Sequence, residues 1–165
     1  MRRVVCLDSQ VVVWGVKKQC RPGQEQMVIK AEGLIRELEE QKAIAIIPAP
    51  AMAELLSPLT DDEANDFMDL VKDVFRVPPF DMAAARMCAK LFTERNRDPS
   101  IQAYRKEREI TRETMKFDLQ IVSIAIVNGC DCIYSEDPDI VKFAGTAIKV
   151  LTLPPVYVQG QMDLE

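Results

Sequence analysis

The sequence predicts an α/β fold, a three-layer sandwich in which helices flank a parallel sheet of five strands. Short apolar runs rich in β-branched residues alternate with longer stretches in which apolar residues recur at helical spacing. Each run is apolar almost throughout, which is the pattern of a strand covered on both faces. The length of 165 residues, with 48% hydrophobic and 28% charged residues, predicts a single domain over residues 1–165.

The predicted strands end at turn-forming or acidic residues. In chain order they are RVVCL at 3–7, AIAII at 43–47, FRVPPF at 75–80, CDCIYS at 130–135 and IKVLTL at 148–153. A loop containing Pro22 and Gly23 is expected after the first strand.

Six helices are predicted between these strands, at 24–41, 51–56, 60–75, 81–95, 117–129 and 137–145. The residues expected to cap them are Thr60 or Asp61, Asp81 and Gly129. Residues 117–129 are apolar on nearly every side, so we expect a central, buried helix. Asp118 opens it, an acid before a helix otherwise almost free of charge.

The composition excludes several kinds of enzyme. The chain has no histidine, which excludes Ser-His-Asp hydrolases, Cys-His proteases, HExxH metalloproteases and nucleases with a histidine base. Five cysteines without a CxxC pair offer no zinc spacing. We expect Cys6, Cys88 and Cys132 to be small core residues in a reduced compartment. No signal peptide or membrane span is recognisable, so a cytoplasmic protein is expected.

Acidic residues follow the predicted strands at the positions where an α/β sheet binds ligands. Asp8 follows strand one, Glu54 lies on the helix after strand two, and Asp137 and Asp139 follow strand four. Taken singly, each has a structural explanation as a turn, cap or solvated residue, and Ser135 is most often a turn or cap hydroxyl.

A functional explanation covers the whole set. Four carboxylates at one sheet edge, with Asp118 as the fourth, repel one another unless a cation neutralises them. Oxygen ligands without histidine or cysteine select Mg²⁺ or Mn²⁺. Such an ion activates water and stabilises a phosphate transition state without any histidine.

These residues together resemble the PIN-domain nuclease family over nearly the whole chain. The matching motifs are Asp8-Ser9 after strand one, Glu54 in PAPAMAELL, the spacing Asp118, Ile121, Ala125 and Gly129, and Ser135-x-Asp137-x-Asp139. The resemblance implies a parallel sheet of order 3-2-1-4-5 and metal-dependent endonucleolytic cleavage, mostly of RNA. Gln10 departs from the family pattern, as does a long charged insert before Asp118.

Carried over by this resemblance, Asp8, Glu54, Asp118 and Asp137 are the expected metal-binding and catalytic quartet. Ser135 is expected to orient a carboxylate or water, and Ser9 of the strand-one motif is a second supporting residue. Asp139 is expected to support a second metal or to cap its helix. The resemblance also suggests a toxin of a toxin–antitoxin pair, held inactive by an antitoxin protein, and a homodimer.

The insert, residues 94–116, has seven basic and five acidic residues. A solvated helix face with ion pairs such as Arg105 to Glu109 is the preferred interpretation. An RNA-binding arm is the alternative, with Lys116 as the first candidate for a phosphate contact and Arg112 as the second.

Two other functions are considered. A PIN-like RNA- or protein-binding scaffold without catalysis is the main alternative, although an intact set of acids argues against it. A phosphoryl-transfer enzyme of the haloacid-dehalogenase or receiver type also places an aspartate after strand one. The former requires Asp-x-Asp where this chain has Asp8-Ser9-Gln10, and the latter requires further acids and a late lysine that are not seen in place.

Overall fold

A four-stranded parallel sheet forms the centre of the protein. The computed structural model describes residues 1–156. The strands are β1 (Val4–Leu7), β2 (Ile44–Ile46), β3 (Cys132–Tyr134) and β4 (Lys149–Leu151), in the spatial order β2-β1-β3-β4. Val5 pairs with Ala45 on one side and with Cys132 on the other, which makes β1 a central strand. The α/β class and the parallel sheet are therefore confirmed.

The prediction of five strands is wrong, because residues 75–80 do not form a strand. They make a single parallel bridge between Arg76 and Ile46 beside β2, where the predicted order 3-2-1-4-5 puts its edge strand. The Arg76 amide donates to the Ala45 carbonyl and its carbonyl accepts from Ile47. Pro78 and Pro79 follow, and proline has no amide hydrogen to extend a ladder.

Eight helices surround the sheet in the described part of the chain. They are α1 (Ser9–Gly15), α2 (Glu25–Glu40), α3 (Ala49–Leu56), α4 (Asp61–Lys72), α5 (Met82–Arg97), α6 (Pro99–Glu107), α7 (Arg112–Val127) and α8 (Pro138–Ala144). Right-handed crossovers put α1 and α2 on one face of the sheet and α7 and α8 on the other. The packing agrees, since α1 contacts α2, and α7 contacts both α5 and α8.

Predicted helix caps agree with the structure. Thr60 caps α4 in a reciprocal box with Glu63, and Asp81 caps α5 by accepting from the Ala84 amide. Gly129 follows the end of α7 with φ of 68°, a conformation that favours glycine.

One helix was not predicted, and another begins earlier than expected. Residues after β1 form α1 rather than a loop, whereas α6 lies within the charged insert, where a solvated helix face is the preferred interpretation. Helix α7 begins at Arg112, capped by Thr111, so Asp118 lies in its second turn and not at its start. The expected Arg105–Glu109 pair is wrong, because α6 ends at Glu107 and Glu109 has a positive φ.

Buried apolar side chains from both helical layers meet the sheet. The largest fully buried ones include Leu7, Leu34, Leu119, Ile133 and Phe143. All five cysteines are free, and Cys6, Cys88 and Cys132 are buried as expected. None of the helices within residues 1–156 is long and apolar enough to cross a membrane. The predicted domain of 1–165 extends over residues 157–165, which lie outside the described residues.

Arg95 joins α5 to the end of α8. Its Nε donates to the Phe143 carbonyl at 2.8 Å and a terminal nitrogen donates to the Ala144 carbonyl at 3.0 Å. These carbonyls belong to the last turn of α8, which lacks helical partners for them. A guanidinium at this end also interacts favourably with the helix dipole.

The α1–α2 contact yields a test of the fold with a matched control. A Cβ at Gly15 would lie 2.5 Å from Ile35 Cδ1 and 3.2 Å from Ala31 Cβ, whereas a Cβ at Gly33 in α2 would meet nothing within 4 Å. We expect Gly15→Ala to lower the free energy of unfolding by about 1–2 kcal/mol through this overpacking. Gly33→Ala should raise it by about 0.5–1 kcal/mol, because alanine is the better helix former.

Urea unfolding of the three proteins measures both changes. A Gly15→Ala variant stabilised as much as Gly33→Ala would contradict the close approach of α1 and α2.

Candidate functional site

The candidate site lies where the carboxyl ends of β1 and β3 meet. From β1 the chain crosses to β2 on one side, whereas β3 pairs with β1 on the other side. The sheet therefore reverses its direction of growth between these two strands, and such a switch point opens a crevice at the strand ends. The residues that follow β1 and β3 line this crevice.

Asp8 is fixed at the end of β1 by three hydrogen bonds. Its amide donates to the Tyr134 carbonyl at 3.1 Å. One carboxylate oxygen accepts from the Ser9 amide at 2.7 Å, which makes Asp8 the N-cap of α1. The other oxygen accepts from the Ser135 hydroxyl, also at 2.7 Å. Asp8 is only 6% exposed, and burial raises the pKa of its carboxyl, although the bonds from Ser135 and Ser9 oppose this.

Ser135 connects the two strand ends. While its hydroxyl donates to Asp8, the same oxygen accepts from the Asp137 amide at 3.1 Å. Asp137 is exposed and caps α8 by accepting from the Asp139 amide at 2.8 Å. Asp8 and Asp137 therefore both cap a helix and line the cleft.

Asp118 is the most perturbed acid of the site. It projects from the second turn of α7 and is 8% exposed. Within residues 1–156 its carboxylate has no hydrogen-bond or ion-pair partner. Burial and repulsion by Asp137, Asp139, Asp8 and Glu54 raise the pKa of its carboxyl to about 8.

Glu54 approaches from α3, the helix after β2. Its side chain is exposed, but partial desolvation raises the pKa of its carboxyl, and repulsion by Asp8 and Asp137 adds to the shift. The Ser9 side chain lowers the pKa of both Glu54 and Asp8, and Ser9 lines the same cleft as these two acids. The structure thus brings together the four predicted acids with Ser9 and Ser135.

An open cleft of about 380 Å³ is lined by the four acids and by a fifth, Glu136, which the sequence analysis does not single out. Ile121 and Ile140 form apolar parts of its wall. Such walls lower the local dielectric, which strengthens repulsion among unneutralised carboxylates and attraction to a cation.

The donor chemistry of the cleft fits Mg²⁺ or Mn²⁺, because its charged ligands are carboxylate oxygens and its neighbouring hydroxyls come from Ser9 and Ser135. Asp118, 8% exposed and without a side-chain partner among the described residues, lines this cleft, which favours a cation here. Residues 1–156 contain no group of three or more acidic or cysteine side chains already arranged as a metal site. The carboxylates must therefore move together to coordinate one ion.

Asp139 is not directed into the cleft. Its carboxylate accepts from the Tyr104 hydroxyl at 2.7 Å and pairs with Arg108 Nε at 3.2 Å. The Arg108 guanidinium also lies over the Tyr104 ring, 5.3 Å from its centroid. These contacts attach α8 to α6 and engage Asp139 away from the four acids.

The predicted RNA-contact residues lie on a different surface. Lys116 Nζ and the Arg112 guanidinium lie 4.8 Å and 5.4 Å from the centroid of the Phe92 ring on α5. Lys116 and Asp118 are two residues apart, or about 200° around the helix. The structure therefore does not bring Lys116 or Arg112 into the cleft.

Sequence reasoning missed the polar wall of the cleft formed by α1 and the start of α2. Its residues are Gln10, Trp14, Arg21 and Gln24. One signal was available: a helix that connects parallel strands runs antiparallel to them, so the loop before α2 returns to the carboxyl edge of the sheet. Arg21 and Gln24 stand in that loop.

Asp118 generates a prediction about stability in the absence of metal. Its pKa is raised in the folded state, so its stabilising contribution is present below the unfolded pKa near 4 and is lost as the pH rises towards 8. In EDTA we expect the wild type to lose stability between pH 5 and 8, as set by these two pKa values. Asp118→Asn should lose less and be more stable at neutral pH by about 1–3 kcal/mol.

Urea unfolding across this pH range measures the difference. Glu113→Gln is the control, because Glu113 is an exposed acid in the first turn of the same helix. If Asp118→Asn and Glu113→Gln follow the same pH profile, Asp118 is not the strained carboxylate described above.

No protein-family model matches the sequence, and the comparison with curated proteins finds no match. Among solved structures, the chain is similar to a chain in the crystal structure of VapBC2 from Rickettsia felis bound to a DNA fragment from their promoter. The TM-score is 0.61 at 14% sequence identity, over 90% of this chain and 98% of that chain. This likeness shows a shared α/β fold, consistent with the PIN-like architecture that the sequence predicts.

Proposed function

We propose that this chain is a Mg²⁺- or Mn²⁺-dependent endoribonuclease that hydrolyses RNA phosphodiester bonds through Asp8, Glu54, Asp118 and Asp137. The observation that carries the proposal is the Asp118 carboxylate, which is buried among other acids without a partner in residues 1–156. A carboxylate in this environment gains more from a divalent cation than an exposed one does, because little water stabilises its charge.

Each acid has a distinct part in this proposal. Ser135 and the Ser9 amide hold the Asp8 carboxylate in one orientation. The largely buried Asp118 and the exposed Glu54 and Asp137 would hold the ion together with Asp8. The bound cation supplies a water of lowered pKa and stabilises charge on the phosphate. Asp139 acts on α8 through Tyr104 and Arg108.

The fold supports this function at a coarse level. Its likeness to VapBC2 supports a PIN-like nuclease of the toxin–antitoxin kind. An antitoxin protein that fills the cleft, and a homodimer, are part of the proposal. Five free cysteines are compatible with the reducing cytoplasm, where we place the protein and its RNA substrate.

A scaffold that binds RNA or protein without cleaving it is the second candidate. It is favoured by the absence, in residues 1–156, of three or more acidic or cysteine side chains already arranged around one point. Against it, a scaffold gains nothing from the buried charge of Asp118. Metal binding and cleavage therefore separate the two functions.

Metal binding is expected to stabilise the wild type. Millimolar MnCl₂ should raise the Tm at neutral pH by about 3–8 °C, because an ion that binds the folded state alone shifts the folding equilibrium. Asp118→Asn should show a much smaller rise, since it loses a largely buried ligand that has no other partner among the described residues. Differential scanning fluorimetry with and without EDTA measures the shift, and an equal rise in both proteins would contradict a site at Asp118.

Cleavage of RNA is expected to require the metal and the buried acids. We expect Asp8→Asn and Asp118→Asn to lower the cleavage rate at least about 100-fold, the scale seen when a group that stabilises transition-state charge is removed. Glu113→Gln should cleave at the wild-type rate. The measurement is cleavage of a labelled single-stranded RNA in MnCl₂, MgCl₂ and EDTA, with circular dichroism to establish that each variant is folded.

Two outcomes would contradict the nuclease. Asp8→Asn that cleaves as fast as the wild type removes the proposed site. A folded wild type that binds Mn²⁺ and RNA but never cleaves supports the scaffold instead.

A further inference from the structure

The Asp139 carboxylate lies beside the cleft without lining it. The residues before and after it in the chain, Pro138 and Ile140, both line the cleft. Among the charges that raise the pKa of Asp118 by repulsion, that of Asp139 is second only to that of Asp137. An acid so close to the others is a natural candidate for a metal ligand, and the resemblance of the sequence implies that role for it.

Two side chains from the charged insert hold this carboxylate. The Tyr104 hydroxyl on α6 donates to Asp139 Oδ1 at 2.7 Å. Nε of Arg108, the C-cap of α6, lies 3.2 Å from the same oxygen. The Asp139 side chain is only 18% exposed, so solvent screens its ion pair less than a fully exposed one. Hydrogen bonds to an ionised carboxylate are also stronger than those between neutral groups.

The Tyr104 ring is itself fixed by three neighbouring side chains. The Arg108 guanidinium and Lys142 Nζ lie 5.3 Å and 5.4 Å from its centroid. The Phe143 ring meets it edge to face, with the centroids 6.1 Å apart and an angle of 89° between the planes. Cations and ring edges are both favourable partners for an aromatic ring. These contacts hold the Tyr104 hydroxyl in place against Asp139.

We propose that Tyr104 and Arg108 withhold Asp139 from the metal, so that the cleft binds its cation without this carboxylate. The inference rests on the proposed nuclease function and assigns a task to the helical part of the insert 94–116. Tyr104 and Arg108 are positioning residues that determine which carboxylates the ion can reach. To join the ion, Asp139 would have to break its bonds to both, and it would give up a partner of opposite charge.

The number of negative charges around the ion explains what this arrangement achieves. A further carboxylate would hold the cation more tightly, because the affinity of an oxygen-ligand site depends on the charge of its ligands. The same carboxylate would also add to the repulsion of an incoming phosphate. Pairing Asp139 with Arg108 neutralises one acid next to the cleft. The cleft thereby keeps its metal ligands without the full repulsion that all of its acids would exert on RNA.

Binding of Mn²⁺, measured by isothermal titration calorimetry, tests the proposal without relying on cleavage. In the wild-type background Asp139→Asn should change the dissociation constant by less than about twofold, because Arg108 already neutralises this carboxylate. The releasing variant Tyr104→Phe/Arg108→Ala should bind Mn²⁺ at least about fivefold more tightly, because a further charged ligand becomes free to join the ion. Adding Asp139→Asn to the releasing variant should remove that gain.

Two controls separate direct binding by Asp139 from the effect of a distant charge. The titrations are made in 1 M KCl, where the Debye length is about 3 Å and charges that do not touch the ion are screened. Lys106→Ala is the matched variant, since Lys106 is an exposed lysine on α6 that makes no bond to Asp139. It should bind Mn²⁺ as the wild type does. Circular dichroism establishes that each variant is folded.

The outcomes separate this inference from the function on which it rests. If Asp139→Asn alone weakens Mn²⁺ binding as much as Asp118→Asn does, Asp139 is a ligand, and the inference is wrong while the nuclease stands. A releasing variant that binds Mn²⁺ no more tightly than the wild type also overturns the inference.

If the gain and its removal occur as predicted but no RNA is cleaved, the inference stands and the nuclease is wrong. Should the double variant fail to fold, Arg108→Ala with and without Asp139→Asn decides the matter by the same comparison, because Arg108 is exposed.

Discussion

The parallel pairing of β1 with β3 is the contact on which the candidate site depends. Through this pairing the Asp8 amide donates to the Tyr134 carbonyl, and the hydroxyl of the next residue, Ser135, donates to the Asp8 carboxylate. Asp8 and Ser135 are separated by 127 positions in the chain, so no local structure could bring them together. Because β1 and β3 are also the strands between which the sheet reverses direction, the same pairing that holds the core together opens the cleft.

Burying and clustering carboxylates in the cleft has an electrostatic cost for the folded protein. Three carboxyls, those of Asp8, Glu54 and Asp118, have pKa values raised by burial and by neighbouring carboxylates, Asp137 among them in each case. Hydroxyls and amides offset part of the cost at Asp8 and Glu54, but none does so at Asp118. Perturbed acids that share one cleft are more typical of functional sites than of structural ones, and this imbalance is the physical basis of the proposed metal dependence.

Much of this arrangement was predictable from the sequence. Buried strands are recognised by their runs of β-branched residues. Because Asp8 and Asp137 each follow such a strand, and parallel strands end at the same edge of the sheet, the sequence predicts that these two acids lie close together. Glu54 was found in the same way.

Other parts depend on tertiary structure. Three consecutive valines in α1 favour a strand by propensity, yet the Asp8 cap and the buried face of the helix override that preference. The side-chain partners of Asp139 come from α6 and its C-terminal end, and charge patterning predicts a helix face there but not these contacts. Residues 75–80 do not form a strand, because only Arg76 makes backbone hydrogen bonds with the strand segment 45–47 before the two prolines.

Arg95 shows how the site is maintained from a distance. Asp137 caps the start of helix α8, and at the other end the Arg95 guanidinium donates hydrogen bonds to the last two carbonyls of the helix. The seven residues of α8 form a helix about 10 Å long, and Arg95 connects the C-terminal end of this helix to α5. The helix is therefore held at both ends, by Arg95 at its last turn and by the Asp137–Ser135 hydrogen bond at its start. A residue that does not line the cleft thus contributes to the position of one helix that does.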